Sequence, residues 1–143
     1  MTDRQYSAKE WLNEAYRIKE TELKAKEDEA ERLKPDDGAI DYSKDRIQNN
    51  SSASQEERLI SYTMAMQDID ETKAKIERIN RTRMKAINML KCSEDRTLCI
   101  RRYIHQFDWR AIGKELKYSR TELYRRHLRA LDEIFDYIKE VEE

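Results

Sequence analysis

Only one proline and two glycines interrupt the 143 residues of this chain, so few positions force the backbone out of a helix. Charged residues make up 41% of the sequence and hydrophobic residues 38%, a balance that fits long solvated helices around a modest core. The sequence therefore predicts an all-α fold. The same composition argues against the thick core of an α/β enzyme.

Two Ser-x-x-Glu capping boxes and a polar linker organise the first two thirds of the sequence. The box at Ser7 predicts a helix over about residues 8–33, and the box at Ser54 predicts a helix over about residues 55–91. Residues 34–54 contain the proline, one glycine and an Asn/Ser cluster, so we expect a linker there. Residues 1–91 are thus predicted to form a helical hairpin or coiled-coil arm.

A heptad-like apolar seam follows the second predicted helix. Its positions are Leu59, Tyr62, Met66, Ile69, Ile76, Ile87 and Leu90, with Lys73, Asn80 and Arg83 as polar interruptions. Ile79 offers another apolar position if the seam drifts. The seam can pair antiparallel with residues 8–33 of the same chain or with a second copy of the protein. The sequence leaves both arrangements open.

Residues 92–143 are predicted to form a separate domain around a helix-turn-helix. A first short helix is marked by residues at spacings of three and four: Trp109, Ile112, Gly113 and Leu116. The pattern stops at Lys117, and a capping box of Ser119 with Glu122 predicts a second helix from about Arg120. In a helix-turn-helix, the second helix lies in the major groove of DNA.

The helix-turn-helix stretch is strongly basic. From Arg96 to Leu131, ten Lys and Arg residues stand against three Asp and Glu, an excess of seven in a chain of net charge −1. Such a face releases counterions when it binds duplex DNA, and the alternative is a solvated basic surface. Base contacts are predicted for the first half of the second helix, at Arg120, Thr121, Tyr124 and Arg125. Phosphate contacts are predicted for Arg110, Lys114, Lys117, Arg126 and Arg129.

Several of these residues are in register with region 4 of bacterial sigma-70-type factors, the module that reads the promoter −35 element. They are Ile112, Gly113, Leu116, Tyr118, Ser119, Arg120, Leu123, Ala130, Leu131 and Ile134. The chain more closely resembles small proteins of Gram-positive phages and integrated elements, related to the RinA, ArpU and LtrC late-transcription regulators. The residues shared with that group are Trp109, Ile112, Gly113, Leu116, Tyr118, Ser119, His127, Ala130 and Leu131.

This resemblance implies a sigma-region-4-like domain, activation of phage or mobile-element late genes, and contact with RNA polymerase in a bacterial host cell. The segment 42–48 is expected to be a solvated loop, and the resemblance adds the alternative that it contacts DNA or a partner. Sigma factors carry an acid at Thr121 and a glutamine at Arg125, so the resemblance does not extend to their target sequence. They carry an apolar residue at Arg126, so that side chain either contacts phosphate or pairs with an acid.

The sequence contains no Gly-rich phosphate loop, nucleophile motif or metal-ligand spacing, and Cys92 and Cys99 lack further ligands nearby. We therefore expect no enzymatic activity, metal or cofactor. No apolar run of 18 residues and no signal-peptide pattern occurs, so we expect a cytoplasmic protein without membrane contact.

The resulting functional prediction is a sequence-specific DNA-binding transcription regulator. One helix-turn-helix reads few base pairs, which favours a homodimer on two half-sites of double-stranded DNA. The alternative is a helical interaction protein that docks on RNA polymerase or another phage factor and has no DNA site of its own.

Overall fold

The computed structural model describes residues 1–35 and 51–142, and every regular element in these ranges is helical. The all-α prediction is confirmed. Most of the predicted linker 34–54, and with it the segment 42–48, lies outside the described residues. Among the described helices, none has both the length and the apolar character that a membrane crossing requires.

Except between α3 and α4, the helices follow one another with short connections. They are α1 (Asp3–Leu12), α2 (Glu14–Ile18), α3 (Lys24–Leu33), α4 (Ser51–Asn88), α5 (Ser93–Cys99), α6 (Trp109–Leu116) and α7 (Arg120–Glu142). Two π-helical turns are inserted: Lys19–Leu23 leads from α2 into α3, and Ile100–Ile104 extends α5.

The first helix begins earlier than the Ser7 capping box predicts. The Thr2 hydroxyl accepts a hydrogen bond from the backbone N–H of Gln5 at 3.2 Å, and Oε1 of Gln5 accepts one from the backbone N–H of Thr2 at 2.9 Å. This reciprocal cap starts α1 at Asp3 and leaves Ser7 inside the helix. The predicted start at about residue 8 is therefore wrong. The long helix predicted from Ser54 is present, and α4 begins three residues earlier, at Ser51.

The chain divides into two compact units, one formed by Met1–Arg17 with Ile76–Glu143 and the other by Ile18–Lys75. This differs from the predicted division at residue 91, because α1 packs on α7. Arg4 forms an ion pair with Asp136 at 2.6 Å, and the Gln5 side-chain amide donates to Asp132 at 3.0 Å. The first helix thus belongs to the same unit as the helix-turn-helix.

In the unit Ile18–Lys75, α3 and the first part of α4 run antiparallel. Nζ of Lys26 lies 3.1 Å from an Asp68 carboxylate oxygen and 2.8 Å from the Thr72 hydroxyl. The Arg58 guanidinium donates to the carbonyl oxygens of Arg32, Leu33 and Lys34, which are the free acceptors at the end of α3. Of the two pairings that the sequence left open, the one within a single chain is therefore present.

The buried face of α4 departs from the predicted seam at alternate positions. Five predicted residues are buried or half-buried: Tyr62, Ile69, Ile76, Ile87 and Leu90. Leu59 and Met66 are exposed instead. Four residues outside the predicted seam are buried or half-buried on the same helix: Ala65, Thr72, Ile79 and Ala86. The predicted burial of Leu59 and Met66 is therefore wrong. Small residues such as Ala65 and Thr72 face inward in their place, and small side chains allow two helices to pack closely.

The core of the unit that contains the helix-turn-helix draws on five helices and the second π-helical turn. Its buried members are Ala8, Leu12, Ile87, Leu90, Leu98, Cys99, Tyr103, Ile112, Leu123, Ala130, Leu131 and Ile134. Burial of one Leu or Ile side chain contributes about 1.5–3 kcal/mol. The polar interruption at Arg83 also lies in this unit, where it donates to the Trp11 carbonyl at 2.9 Å and pairs with Glu14. Within this core, α7 packs against α1, α5 and α6, and these contacts fix its position and direction.

Candidate nucleic-acid interface

Local hydrogen bonds define both helices of the helix-turn-helix. Oδ1 of Asp108 accepts a hydrogen bond from the backbone N–H of Ala111 at 2.7 Å and so caps α6. α6 ends at Lys117, which has a left-handed backbone with φ of 59°. The Ser119 hydroxyl accepts from the backbone N–H of Glu122 at 3.2 Å, which caps α7. The predicted start of the second helix at Arg120 is confirmed.

Gly113 sets how closely the two helices approach each other. A Cβ added at this position would lie 3.0 Å from Cδ1 of Leu123 and 3.4 Å from the Tyr118 carbonyl oxygen. A side chain here would therefore require Cδ1 of Leu123 to shift by a few tenths of an ångström. The glycine thus fits a place where α6 and α7 approach closely.

Beneath α6 and α7 lies an aromatic cluster of Tyr103, Trp109 and His127. The Trp109 and His127 rings have centroids 4.6 Å apart, and the Tyr103 hydroxyl hydrogen-bonds to Nε2 of His127. Burial lowers the pKa of His127 to about 4, and the positive charges of Lys9 and Arg102 add to this effect. His127 is consequently a neutral part of the core at pH 7.

Protonation of His127 is expected to destabilise this unit in mild acid. The pKa of His127 falls from 6.5 to about 4 on folding, so the unfolded state takes up the proton first as pH drops. Stability is fully present above pH 6.5 and is lost progressively towards pH 4, with about 2 kcal/mol lost by pH 5. Urea unfolding at pH 7.5 and pH 5.0 measures this loss. His127→Gln should reduce the difference between the two pH values by most of that amount.

The matched control for His127→Gln is His105→Gln, since His105 lies exposed near the end of the preceding turn. The control should keep the pH dependence of the unaltered chain. Equal pH dependence in the His127→Gln variant would contradict the neutral, buried state of this imidazole.

The predicted base-contact residues lie together on the first two turns of α7. Arg120, Thr121 and Tyr124 are exposed, and 53% of the Tyr124 surface is accessible. Arg125 is also exposed, but its guanidinium makes two hydrogen bonds of 2.7 and 3.1 Å to the Glu122 carboxylate. The hydrogen bonds from Arg125 and Arg126 lower the pKa of Glu122, so this carboxylate stays charged.

Two of the predicted phosphate-contact residues are engaged in ion pairs within the chain. Arg126 lies over the Tyr118 ring and contacts Glu122 at 2.9 Å and Asp95 at 3.5 Å. Arg129 contacts the other Asp95 oxygen at 2.9 and 3.2 Å, and Asp95 is completely buried. For Arg126, the alternative of pairing with an acid is the one observed. Both arginines therefore attach α7 to the first turn of α5.

Five other cations around α6 and the start of α7 have no ion-pair or hydrogen-bond partner within the described residues. They are Lys9, Arg110, Lys114, Lys117 and Arg120. Arg110, Lys114 and Arg120 line one shallow cleft of about 570 Å³ between the two helices. Lys9 lines a neighbouring cleft together with Arg120 and the aromatic residues Trp109 and Tyr124. These five cations therefore place unpaired positive charge around the exposed start of α7.

Lys9 was not among the sequence-predicted contacts, because its place beside α7 depends on packing between residues more than 100 positions apart. The sequence offered no local signal for it. In the described part of the chain, no group of three or more His, Cys, Asp or Glu side chains is arranged to hold a metal ion. Burial also raises the pKa of the Cys99 thiol well above its usual range.

No protein-family model, no curated protein and no solved structure matches the chain. The resemblance to sigma region 4 and to the late-transcription regulators thus rests on the residues quoted from the sequence and stays a prediction.

Proposed function

We propose that this chain is a sequence-specific DNA-binding transcription regulator, a binding protein and not an enzyme, and that α7 enters the major groove. One observation carries the proposal: the capped start of α7 exposes Arg120, Thr121 and Tyr124 beside cations that have no partner in the described chain. Helix-turn-helix proteins contact base edges with this part of the second helix.

Arg120 is the side chain best suited to read a base. Its guanidinium is free to offer two donors to the O6 and N7 acceptors of guanine. Thr121 and Tyr124 supply hydroxyl groups and apolar contact on the same turns. Arg125 can join them by exchanging its exposed pair with Glu122, since surface ion pairs contribute only about 0–1 kcal/mol.

Phosphate contact is assigned to Lys9, Arg110, Lys114 and Lys117. These cations surround the start of α7, where a helix-turn-helix faces the backbone on both sides of the groove. Arg126 and Arg129 have a different role in this proposal. They hold α7 on α5 through Asp95 and so stabilise the folded unit without contacting DNA.

The finer parts of the proposal come from the resemblance. They are activation of late genes of a phage or mobile element, contact with RNA polymerase, and location in the cytoplasm of a bacterial host. A homodimer on two half-sites would supply the specificity that one short helix lacks.

Binding of duplex DNA is expected to weaken steeply with salt. The four cations assigned to phosphate, each releasing about 0.9 counterion per phosphate neutralised, predict a slope of about −4 in a plot of log affinity against log salt. Fluorescence anisotropy with a duplex selected from a random pool, between 50 and 200 mM salt, measures the slope.

The double variant Lys9→Gln/Lys117→Gln should flatten this slope by about 2, because it removes two phosphate contacts. Lys73→Gln/Lys75→Gln is the matched control, since both lysines lie exposed in the other unit. A chain that binds no duplex even at the lowest salt would overturn the proposed function.

Absence of duplex binding would favour the second candidate function, a helical interaction protein that docks on another protein. The observation behind it is an apolar patch on α4, where Leu59, Ile60 and Met64 are between 52% and 64% exposed. Clusters of exposed apolar side chains mark contact surfaces for other proteins.

A further inference from the structure

A cleft of about 520 Å³ opens beside the start of α7, within the unit that contains the helix-turn-helix. Its walls come from α1, α6 and α7, and its lining residues are Met1, Lys9, Trp109, Arg120, Thr121, Leu123, Tyr124 and His127. Clefts of about 300–1,000 Å³ with a mainly apolar lining and a few polar groups are typical of small-molecule sites. The proposed contacts with duplex DNA use one edge of this cleft and leave its interior unexplained.

The lining is suited to a planar ring. Tyr124 offers an exposed aromatic ring, and the Trp109 ring beside it packs on His127 with the Arg102 guanidinium over one face. Leu123 and His127 close the cleft as nearly buried side chains. The His127 imidazole already uses Nε2 in its hydrogen bond with Tyr103 and packs on Trp109. Stacking of a base on an aromatic side chain contributes about 1–3 kcal/mol.

The charges of the lining are suited to an anion. Lys9 and Arg120 are its two cations, no carboxylate is among its residues, and neither cation has a partner in the described part of the chain. An ammonium and a guanidinium at one opening make charge-assisted hydrogen bonds to a phosphate or carboxylate. A molecule that fits the whole cleft therefore carries both a planar ring for the interior and an anionic group for the rim.

We propose that this cleft binds a small aromatic anion of mononucleotide type, with its ring on Tyr124 next to Trp109 and its anionic group at Lys9 and Arg120. The ligand occupies the side chains that the proposed function assigns to base contact. Ligand and duplex DNA therefore exclude each other, and this consequence rests on the proposed function. The cleft then acts as the site at which a small molecule releases the regulator from DNA.

Ligand binding is tested first without DNA. In a Trp11→Phe background, Trp109 is the remaining tryptophan, so its fluorescence reports on the cleft alone. The probes are adenosine monophosphate, adenosine, inorganic phosphate and a short single-stranded oligonucleotide. We expect saturable quenching by adenosine monophosphate and at least about tenfold weaker binding of adenosine, which lacks the charge-assisted contacts.

Two variants locate the site. Lys9→Gln should weaken adenosine monophosphate about tenfold and leave adenosine unchanged, and Thr121→Trp should fill the cleft and abolish quenching by both. Lys24→Gln, an exposed lysine of α3, is the matched control and should bind as the parent does. Equal affinity for adenosine monophosphate and adenosine, or binding that Thr121→Trp does not change, would overturn the proposal. Binding of the oligonucleotide without binding of adenosine monophosphate would also overturn it, because the cleft would then be a site for a nucleic-acid strand and not for a free nucleotide.

The competition is measured separately, as displacement of a selected duplex by adenosine monophosphate. Because Lys9 is also assigned to phosphate contact, the duplex concentration is raised until parent and Lys9→Gln start from the same fraction bound. We then expect displacement in the parent chain and at least about fivefold less of it in Lys9→Gln at the same nucleotide concentration. If the nucleotide binds and the duplex stays bound, mutual exclusion is wrong. If the duplex never binds, the proposed function fails while the ligand titration still decides the fate of the cleft.

Discussion

Charge reversal of Arg120 together with Arg125 is expected to lower the affinity for a selected duplex at least about 100-fold. Each bidentate contact to a base contributes about 1–3 kcal/mol, and the reversed charges also repel the nearby phosphates. Gel-shift titration of Arg120→Glu/Arg125→Glu against the parent chain measures the loss. Unchanged affinity and selectivity would remove α7 from the role of recognition helix.

The double variant needs a control with the same change of net charge. Arg78→Glu/Arg81→Glu provides it, because both arginines lie exposed on α4, away from α6 and α7 in the sequence. This control should keep specific binding within about threefold, since only the long-range part of the electrostatic attraction changes.

The two single variants separate loss of contact from loss of fold. Arg120 has no partner in the described chain, so Arg120→Glu should leave the free energy of unfolding within about 0.5 kcal/mol. Arg125→Glu breaks the ion pair with Glu122 and places two carboxylates one helical turn apart, which costs a few tenths of a kcal/mol. A large loss of stability in either variant would mean that the drop in affinity reports on folding.

Features that depend on a few neighbouring residues could be predicted from the sequence. The Asp108 and Ser119 caps each join residues three positions apart, and they mark the helix starts at Trp109 and Arg120. The same rule fails at Ser7, because a Ser-x-x-Glu pattern also fits inside a helix and Thr2 with Gln5 caps one turn earlier. Local patterns predict that a helix exists more reliably than they predict its first residue.

Features that depend on distant residues could not be predicted. The burial of Ala65 and Thr72 in place of Leu59 and Met66 follows from how closely α3 approaches α4, and hydropathy alone does not report this distance. The site shows the same limit. Composition marked Arg126 and Arg129 as part of a basic face, and only the position of Asp95, more than 30 residues earlier, explains why Arg129 is paired. Arg126 contacts the same Asp95 and also pairs with Glu122, four residues before it.

Replacement of Arg129 by methionine is expected to cost about 3 kcal/mol of stability and to change DNA affinity little. Asp95 is fully buried, and without Arg129 its carboxylate keeps only the 3.5 Å contact with Arg126. Removing one partner of a fully buried ion pair costs about 3–5 kcal/mol, because the remaining charge is left without compensation in a medium of low dielectric constant. The Arg129 side chain is 46% exposed, so we expect a loss at the lower end of that range. Urea unfolding of Arg129→Met measures the loss.

Two further variants decide whether Arg129 acts through Asp95. Asp95→Asn/Arg129→Met removes both charges and should recover about half of the lost stability, because no uncompensated carboxylate remains in the core. Arg125→Met should show the opposite pattern, with stability within about 0.5 kcal/mol of the parent and clearly weaker duplex binding, since its pair with Glu122 is exposed. If Arg129→Met instead leaves stability intact and weakens DNA binding, Arg129 is a phosphate contact and the attachment of α7 to α5 does not depend on it.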